Sequence, residues 1–240
     1  MTELEAQTVT RLFAHGVGVN GVDLAIREGE IHALIGLNGA GKTTIMRLLL
    51  GMLRPESGEI WLQGRRLRDV SPSGWARVGH MVGGLLAYPD LRVRENLELA
   101  ARLHGATRHH IAAVAGGGLD QMALGEYVDR RLRTLSAGNL QRVGLAAALQ
   151  HHPDVIVLDE PTNALDPAGV LLLRELLLTR STAGAAILIS SHHLDEVARI
   201  ADQITLMNRG RVIGQLDPAS VDLERALFAR VLADDESRAS

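Results

Sequence analysis

The sequence predicts an α/β fold: a mostly parallel sheet, an N-terminal antiparallel β-subdomain and an inserted α-helical subdomain. Three observations predict it. An apolar run, Ile31–Ile35, leads into the glycine-rich stretch Gly36–Thr44, which opens a helix-like run over Ile45–Leu50. Two more short apolar runs, Val155–Leu158 and Ala185–Ile189, end in polar residues, Asp159-Glu160 and Ser190-Ser191-His192. Between the first and second of these strands, residues 85–150 read as helical throughout. Polar chemistry at the carboxyl ends of parallel strands is where open α/β sheets bind ligands. The expected organisation is one domain: a core from 1–84 and 151–225, a helical subdomain over 85–150, and a tail over 226–240.

Residues 1–35 are β-rich; Gly21–Ile26 alternates apolar and polar, and Arg27-Glu28-Gly29-Glu30 is a polar turn. The spacing Gly36-x₄-Gly41-Lys42-Thr43 then fits a phosphate-binding P-loop in its required strand-to-helix context, so the core is that of a P-loop NTPase. Asn38, Gly39, Ala40, Gly41, Lys42, Thr43 and Thr44 would surround phosphate oxygens with backbone N–H groups, and the new helix adds its positive end. Lys42 can reach the β- and γ-phosphates, and the Thr43 hydroxyl can hold Mg²⁺. Lys42 is the only lysine; every other cation is arginine, whose broad fork does not replace a compact ammonium.

Gly51 reads as a helix stop, Arg54–Gly58 as a loop and Glu59–Gln63 as a short strand. Arg65, Arg66 and Arg68 read as a solvated edge, with an anion site as the alternative. Val82-Gly83-Gly84-Leu85-Leu86 reads as a flexible apolar loop, followed by a helix over Arg94–Leu103 and a glycine break at Gly116-Gly117-Gly118. A further helix opens at Leu135-Ser136-Ala137-Gly138. Ser136 suits an N-cap, and the same helix start can also bind an anion. Val155–Leu158 is too short for a buried helix, and its terminal Asp159 reads as the Mg²⁺-coordinating carboxylate, followed by a second acid, Glu160. A helix is expected over Ala168–Thr179, another over Asp195–Ala201, and a hairpin around Asn208-Arg209-Gly210. The chain after Arg230 reads as frayed.

Composition excludes several alternatives. With 46% hydrophobic and 22% charged residues the chain is globular, and a net charge of −3 gives no electrostatic case for nucleic acid. The absence of cysteine removes disulfides, thiolate metal sites and a Cys nucleophile. No apolar run is long enough to span a membrane. The histidine pairs His109-His110, His151-His152 and His192-His193 are adjacent residues, which do not share a helix or strand face, so no metal site beyond nucleotide-bound Mg²⁺ is expected.

Taken together, Gly36–Thr44, Leu135-Ser136-x-Gly138-x-x-Gln141-Arg142, Val155–Glu160, Ala164-Leu165-Asp166 and His192 resemble the ATP-binding subunit of an ATP-binding-cassette (ABC) transporter over about residues 5–225. Tyr88-Pro89-Asp90-Leu91-x-Val93-Arg94-Glu95-Asn96-Leu97 and Ser190-Ser191-His192-x-Leu194-Asp195-Glu196-Val197 further resemble bacterial exporters of the drug, antibiotic or lantibiotic-resistance type. The resemblance implies ATP and Mg²⁺ as cofactors, and a second ATP-binding subunit, the same or homologous, paired head-to-tail. It also implies an integral-membrane partner and a place at the cytoplasmic face of the membrane. Phe13 would stack on adenine, which needs only a π-face. Asp159 would hold Mg²⁺ through water, and Glu160 would be the general base for the attacking water. His192 would contact the γ-phosphate and orient that water. Ser136 and Gly138 would face the γ-phosphate held by the other subunit, and Asp166 would lie across that interface. One departure stands out: Gly83 occupies the place of the family's loop glutamine, which suggests slower catalysis, a substitute group or a compensating partner. The alternative reading is a poorly hydrolytic, nucleotide-gated regulatory module of a membrane complex.

Overall fold

A computed structural model describes residues 1–84, 87–192, 194–220 and 222–239. The elements in chain order are β1 (Thr2–Leu12), β2 (Gly18–Arg27), β3 (Ile31–Ile35), α1 (Lys42–Leu49), β4 (Ser57–Leu62) and β5 (Arg65–Arg66). Then come α2 (Pro72–Trp75), β6 (Val78–Met81), α3 (Val93–Leu103), α4 (Ile111–Gln121), α5 (Ala137–Leu149), β7 (Val155–Asp159) and α6 (Pro167–Thr182). The chain closes with β8 (Ala186–Ser191), α7 (Leu194–Ala198), β9 (Gln203–Asn208), β10 (Arg211–Leu216) and α8 (Leu223–Ala239). They pack as two compact units, Met1–Val70 with Ala186–Ser240, and Ser71–Ala185. The second unit therefore takes in β6, β7 and α6 as well as the helices expected over 85–150.

In the first unit β2, β1, β4 and β5 form an antiparallel sheet in that order. Alternation explains it: Val19, Val22, Leu24 and Ile26 turn inward from β2, while Gly21, Asp23 and Arg27 face water. Strands β10, β9, β3 and β8 follow one another in the second arrangement. Here β3 runs parallel to both β8 and β9, and every residue of β3 is buried, as befits a continuous apolar run flanked on both edges. The buried His32 inside it is satisfied by Glu30 on one ring nitrogen (2.9 Å) and by Thr205 on the other (2.8 Å). Burial pushes the Glu30 carboxyl up, but its bond to His32 and the neighbouring His32 and Arg27 charges hold it below its ordinary value.

Two expectations are corrected. The chain after Arg230 is not frayed: α8 runs to Ala239, with Leu223, Leu227 and Val231 buried at helical spacing. Its polar end is tied down as well, because Asn208 donates to Asp234 (2.8 Å) and Asp235 (3.0 Å), and Arg209 pairs with Asp235 (3.1 Å). Nor do Gly116–Gly118 break a helix; they lie inside α4, where Gly118 faces Gln150, which itself donates to the Leu97 carbonyl (2.8 Å). Only Gly118 is closely packed; a Cβ on Gly116 or Gly117 would meet nothing within 4 Å, and each glycine costs about 1 kcal/mol in helix propensity. The remaining loops behave as read: Gly51 ends α1 with a Met52 N–H to Arg47 O bond, and β9 and β10 form the hairpin. Leu85 and Leu86 of the expected flexible loop lie outside the described residues.

Candidate functional site

In the first unit, the candidate residues gather at the carboxyl end of β3. The register pairs Ile35 with Ser191 of β8 and with Leu206 of β9. Gly36 and His192 are therefore the next residues out of two adjacent parallel strands. A Cβ on Gly36 would lie 2.4 Å from the Met207 carbonyl oxygen and 2.9 Å from the Ala40 Cβ, so only glycine fits where the loop leaves the sheet. Leu37, Asn38 and Gly39 are exposed, while Ala40 is buried beneath them. The Ala40 N–H donates to Leu37 O (3.0 Å), and its carbonyl accepts from Gly210 N–H (2.9 Å).

Gly39 and Gly41 both take positive φ, 82° and 102°, which turns the loop back on itself. Lys42 is 7% exposed and folds its ammonium onto the Gly36 carbonyl at 2.6 Å, inside the loop's concave side. No side chain caps α1 at Gly41, so its first turn presents Lys42, Thr43 and Thr44 N–H groups and the helix's positive end at the loop. Positive-φ glycines, a buried ammonium and an uncapped helix start form a donor set that fits a polyphosphate. Their positive charge and inward N–H groups favour an anionic ligand over a neutral one.

The loop rests on residues that motif spacing does not reveal. Gly210, in the β9–β10 turn, comes so close to Gly18 that a Cβ on it would sit 2.2 Å from the Gly18 carbonyl oxygen. A Cβ on Gly41 would be 3.1 Å from that same oxygen. The start of β2 and the hairpin turn thus support the phosphate loop from behind. A glycine in a predicted hairpin turn was the available signal, but it reads equally as turn chemistry. The segment joining β1 to β2 carries Phe13, 41% exposed, with the Arg11 guanidinium 5.3 Å from its ring centre. Phe13 N–H donates to Val17 O (2.7 Å), which fixes the ring-bearing turn just before Gly18.

The second unit holds the acidic residues. Strand β6 runs parallel to β7, with Met81 beside Leu158. Asp159 is the last residue of β7, and Glu160 follows in the left-handed region at φ 49°. A non-glycine residue there costs about 1–3 kcal/mol and persists only where its surroundings impose it. Pro161 is buried directly after it, and its carbonyl accepts from the Gln141 side chain of α5 at 3.0 Å. The turn closes with Asn163 N–H to Glu160 O (3.2 Å) and Leu165 N–H to Thr162 O (3.1 Å). Gly83 leaves β6 two residues past Met81 with φ 76°, a conformation that suits glycine and disfavours glutamine.

Ser136 is the N-cap of α5; its hydroxyl accepts from Asn139 N–H at 3.3 Å and is exposed. Gly138, within the first turn of α5, faces the acidic loop: a Cβ on it would meet the Ala164 carbonyl oxygen at 2.7 Å. Asp166 caps α6 through Gly169 N–H (2.9 Å) and accepts from Arg142 of α5 (2.5 Å). The Arg142 bond, and then the Gly169 N–H, hold the Asp166 carboxyl below its ordinary value. The structure therefore joins the Leu135–Arg142 segment to the loop after β7 within one unit.

The histidines do other work. His104 and His151 stack with ring centres 3.7 Å apart at 10°, a geometry for packing rather than for ligating one ion. Burial, and then the neighbouring His104, His152 and Arg180, lower the His151 pKa to about 3, partly offset by the Val78 backbone. Among the described residues no group of three or more His, Cys, Asp or Glu is placed to hold a metal ion. No helix among them is long and apolar enough to cross a membrane.

Comparison with known proteins gives a consistent picture. The family model described as "ABC transporter" matches residues 19–163. An uncharacterised ABC transporter ATP-binding protein of Bacillus subtilis is 32% identical over 98% of this chain and 76% of its own length. A lantibiotic transport ATP-binding protein of Streptococcus pyogenes is 34% identical over 88% of this chain and 89% of its own. Among solved structures, the ATP-binding subunit of an ABC transporter superposes with a TM-score of 0.83 at 28% identity, over 95% of this chain and 94% of the other.

Proposed function

The chain belongs to the ABC transporter family of ATPases, as an ATP-binding subunit, and from that premise we propose that it drives export through a separate integral-membrane subunit. The observation that carries this reading is the conformation of Gly36–Thr44, with the Lys42 ammonium held inside the loop against the Gly36 carbonyl. A tri- or diphosphate is the ligand that loop suits. The export direction is supported by the likeness to the lantibiotic transport protein.

In this reading Asn38, Gly39, Ala40, Gly41, Lys42, Thr43 and Thr44 bind the ATP phosphates, and Phe13 stacks on adenine. Thr43 and Asp159 hold Mg²⁺, which when bound neutralises charge on the β- and γ-phosphate oxygens. Glu160 accepts the proton of the attacking water, a role worth about 10²–10⁴-fold in rate. His192 orients that water against the γ-phosphate. Ser136 and Gly138 contact the γ-phosphate held by a second ATP-binding subunit in a head-to-tail dimer, and Asp166 lies along that interface. The working position is the cytoplasmic face of the membrane, without nucleic acid as a partner.

The test is co-purification with a candidate integral-membrane subunit from the same organism, followed by ATPase assays with and without exported substrate. The reading expects stable association and substrate-stimulated hydrolysis. A chain that hydrolyses ATP but associates with no membrane protein would contradict the coupling. One observation favours a second reading, a weakly hydrolytic nucleotide-gated regulator: Gly83, at the place where the family resemblance implies a glutamine, has a φ of 76° that disfavours one. Binding of ATP with turnover below about 10⁻³ s⁻¹, far under ordinary enzyme rates, would select that second reading.

A further inference from the structure

The turn from Glu160 to Asp166 contains two non-glycine residues with positive φ, Glu160 at 49° and Ala164 at 64°. Each costs about 1–3 kcal/mol unless its surroundings impose it. A proline after Glu160 makes the local preference worse, since it restricts the residue before it to extended backbone. The bonds inside the turn, Asn163 N–H to Glu160 O and Leu165 N–H to Thr162 O, are ordinary turn bonds. Three contacts from one helix help to impose the conformation. Along α5, Gly138 lies against the Ala164 carbonyl, Gln141 donates to the Pro161 carbonyl, and Arg142 donates to Asp166. These three residues span little more than one helical turn and reach three successive points of the acidic loop.

Of the three, Gln141 acts nearest the carboxylate. Its amide holds the peptide that follows Glu160, in a part-buried setting where a hydrogen bond is poorly replaced by water. We propose that Gln141 is a positioning residue for hydrolysis: its bond to the Pro161 carbonyl holds Glu160 in the left-handed conformation that aims the carboxylate. The same bond makes α5 the element through which events at the Ser136 end reach Glu160. When that helix start engages a nucleotide, any shift of α5 moves Gly138 and Gln141 together, and the Glu160 turn moves with them. This rests on the proposed role of Glu160 as general base, and the experiment separates the two.

Gln141→Leu keeps the side-chain volume and removes the donor. It is expected to lower kcat about 10- to 100-fold, the scale of an ångström-level misplacement, with KM for ATP within about twofold. Gln141→Glu supplies the conservative readout. Its carboxylate repels the Pro161 carbonyl, whereas its protonated form donates to it. An ordinary glutamate is ionised at neutral pH, so at about pH 7.5 Gln141→Glu should lower kcat at least as far as Gln141→Leu does. A third measurement needs no turnover: amide hydrogen exchange at Asn163 and Leu165 should quicken about 10-fold in Gln141→Leu while α5 keeps its protection. Unchanged exchange together with kcat within about twofold of wild type would overturn the proposal. A Gln141→Glu kcat within about twofold of wild type at that pH would overturn it as well, by reducing Gln141 to packing. If Glu160→Gln itself keeps full turnover, the general-base assignment fails instead, and faster exchange at Asn163 would still bear on Gln141 alone.

Discussion

Around Gly36–Thr44, backbone packs on backbone: Gly36 against Met207, Gly41 and Gly210 against Gly18, with Gly210 N–H donating to the Ala40 carbonyl and Asn20 N–H to the Gly210 carbonyl. Around Glu160–Asp166, by contrast, the chain is held by side chains reaching over from α5, through Gln141 and Arg142. The first region is preformed by steric exclusion, since no side chain other than hydrogen fits its contact points. The second is a strained turn kept in place by polar contacts, which a modest displacement of one helix can alter. A site that must bind phosphates unchanged through a cycle suits the first construction, and one that must be switched suits the second.

Breaking the first construction should have the largest effect. Gly36→Ala places a Cβ 2.4 Å from the Met207 carbonyl, where only backbone could yield. Overpacking of this kind costs about 1–3 kcal/mol, and if that cost falls on the bound loop ATP affinity should drop about 5- to 150-fold by equilibrium dialysis. Retention of wild-type affinity would show that the loop is not the phosphate cradle. In the second construction, Gly138→Ala directs a Cβ at the Ala164 carbonyl from 2.7 Å. Its expected signature is different: kcat about 10-fold lower, with ATP affinity of the isolated chain within about threefold. Loss of binding in this variant would mean that the two regions are not separable.

Acid should act on the second unit first. The His151 pKa is 6.5 ordinarily and about 3 in the fold. Between those values the unfolded chain binds the extra proton, so stability is full above about pH 6.5 and is lost as pH falls toward 3. At about pH 5 the loss from this one group is about 2 kcal/mol. Desolvation lowers half-buried His80 and His104 in the same direction. Thermal unfolding should therefore shift down between about pH 7 and about pH 5, and His151→Leu should flatten that slope. A pH-independent midpoint would contradict the burial account. The smallest effect is expected at Phe13, whose ring is exposed. Phe13→Ala should raise KM for ATP about 3- to 10-fold, the value of one stacked ring, and Phe13→Tyr should leave it unchanged.

These contrasts also explain how much could be read before the fold was known. The phosphate loop, the Asp159 strand end and the β9–β10 hairpin are local patterns in which neighbours in sequence are neighbours in space, and they were legible. The supports were not. Gly18 and Gly210 meet Gly41 from distant parts of the chain, and Gln141 meets Pro161 across an intervening strand and loop. Such contacts leave no periodicity. The end of α8 was misread because Asp234 and Asp235 look like a solvated tail, while their partners Asn208 and Arg209 lie in another hairpin. Gly116–Gly118 were misread because a local propensity penalty of about 1 kcal/mol per glycine does not by itself end a helix of this length; of the three, only Gly118 is packed, against Gln150.

The central claim is that phosphate binding and hydrolysis belong to these two different constructions, and Glu160→Gln tests it most directly. The variant keeps the size of the side chain and the Gln141 contact to Pro161, and removes only the base. Measured side by side, its ATP affinity should stay within about threefold of wild type while steady-state hydrolysis falls at least about 100-fold. Full turnover in Glu160→Gln, or loss of ATP binding together with turnover, would contradict the account.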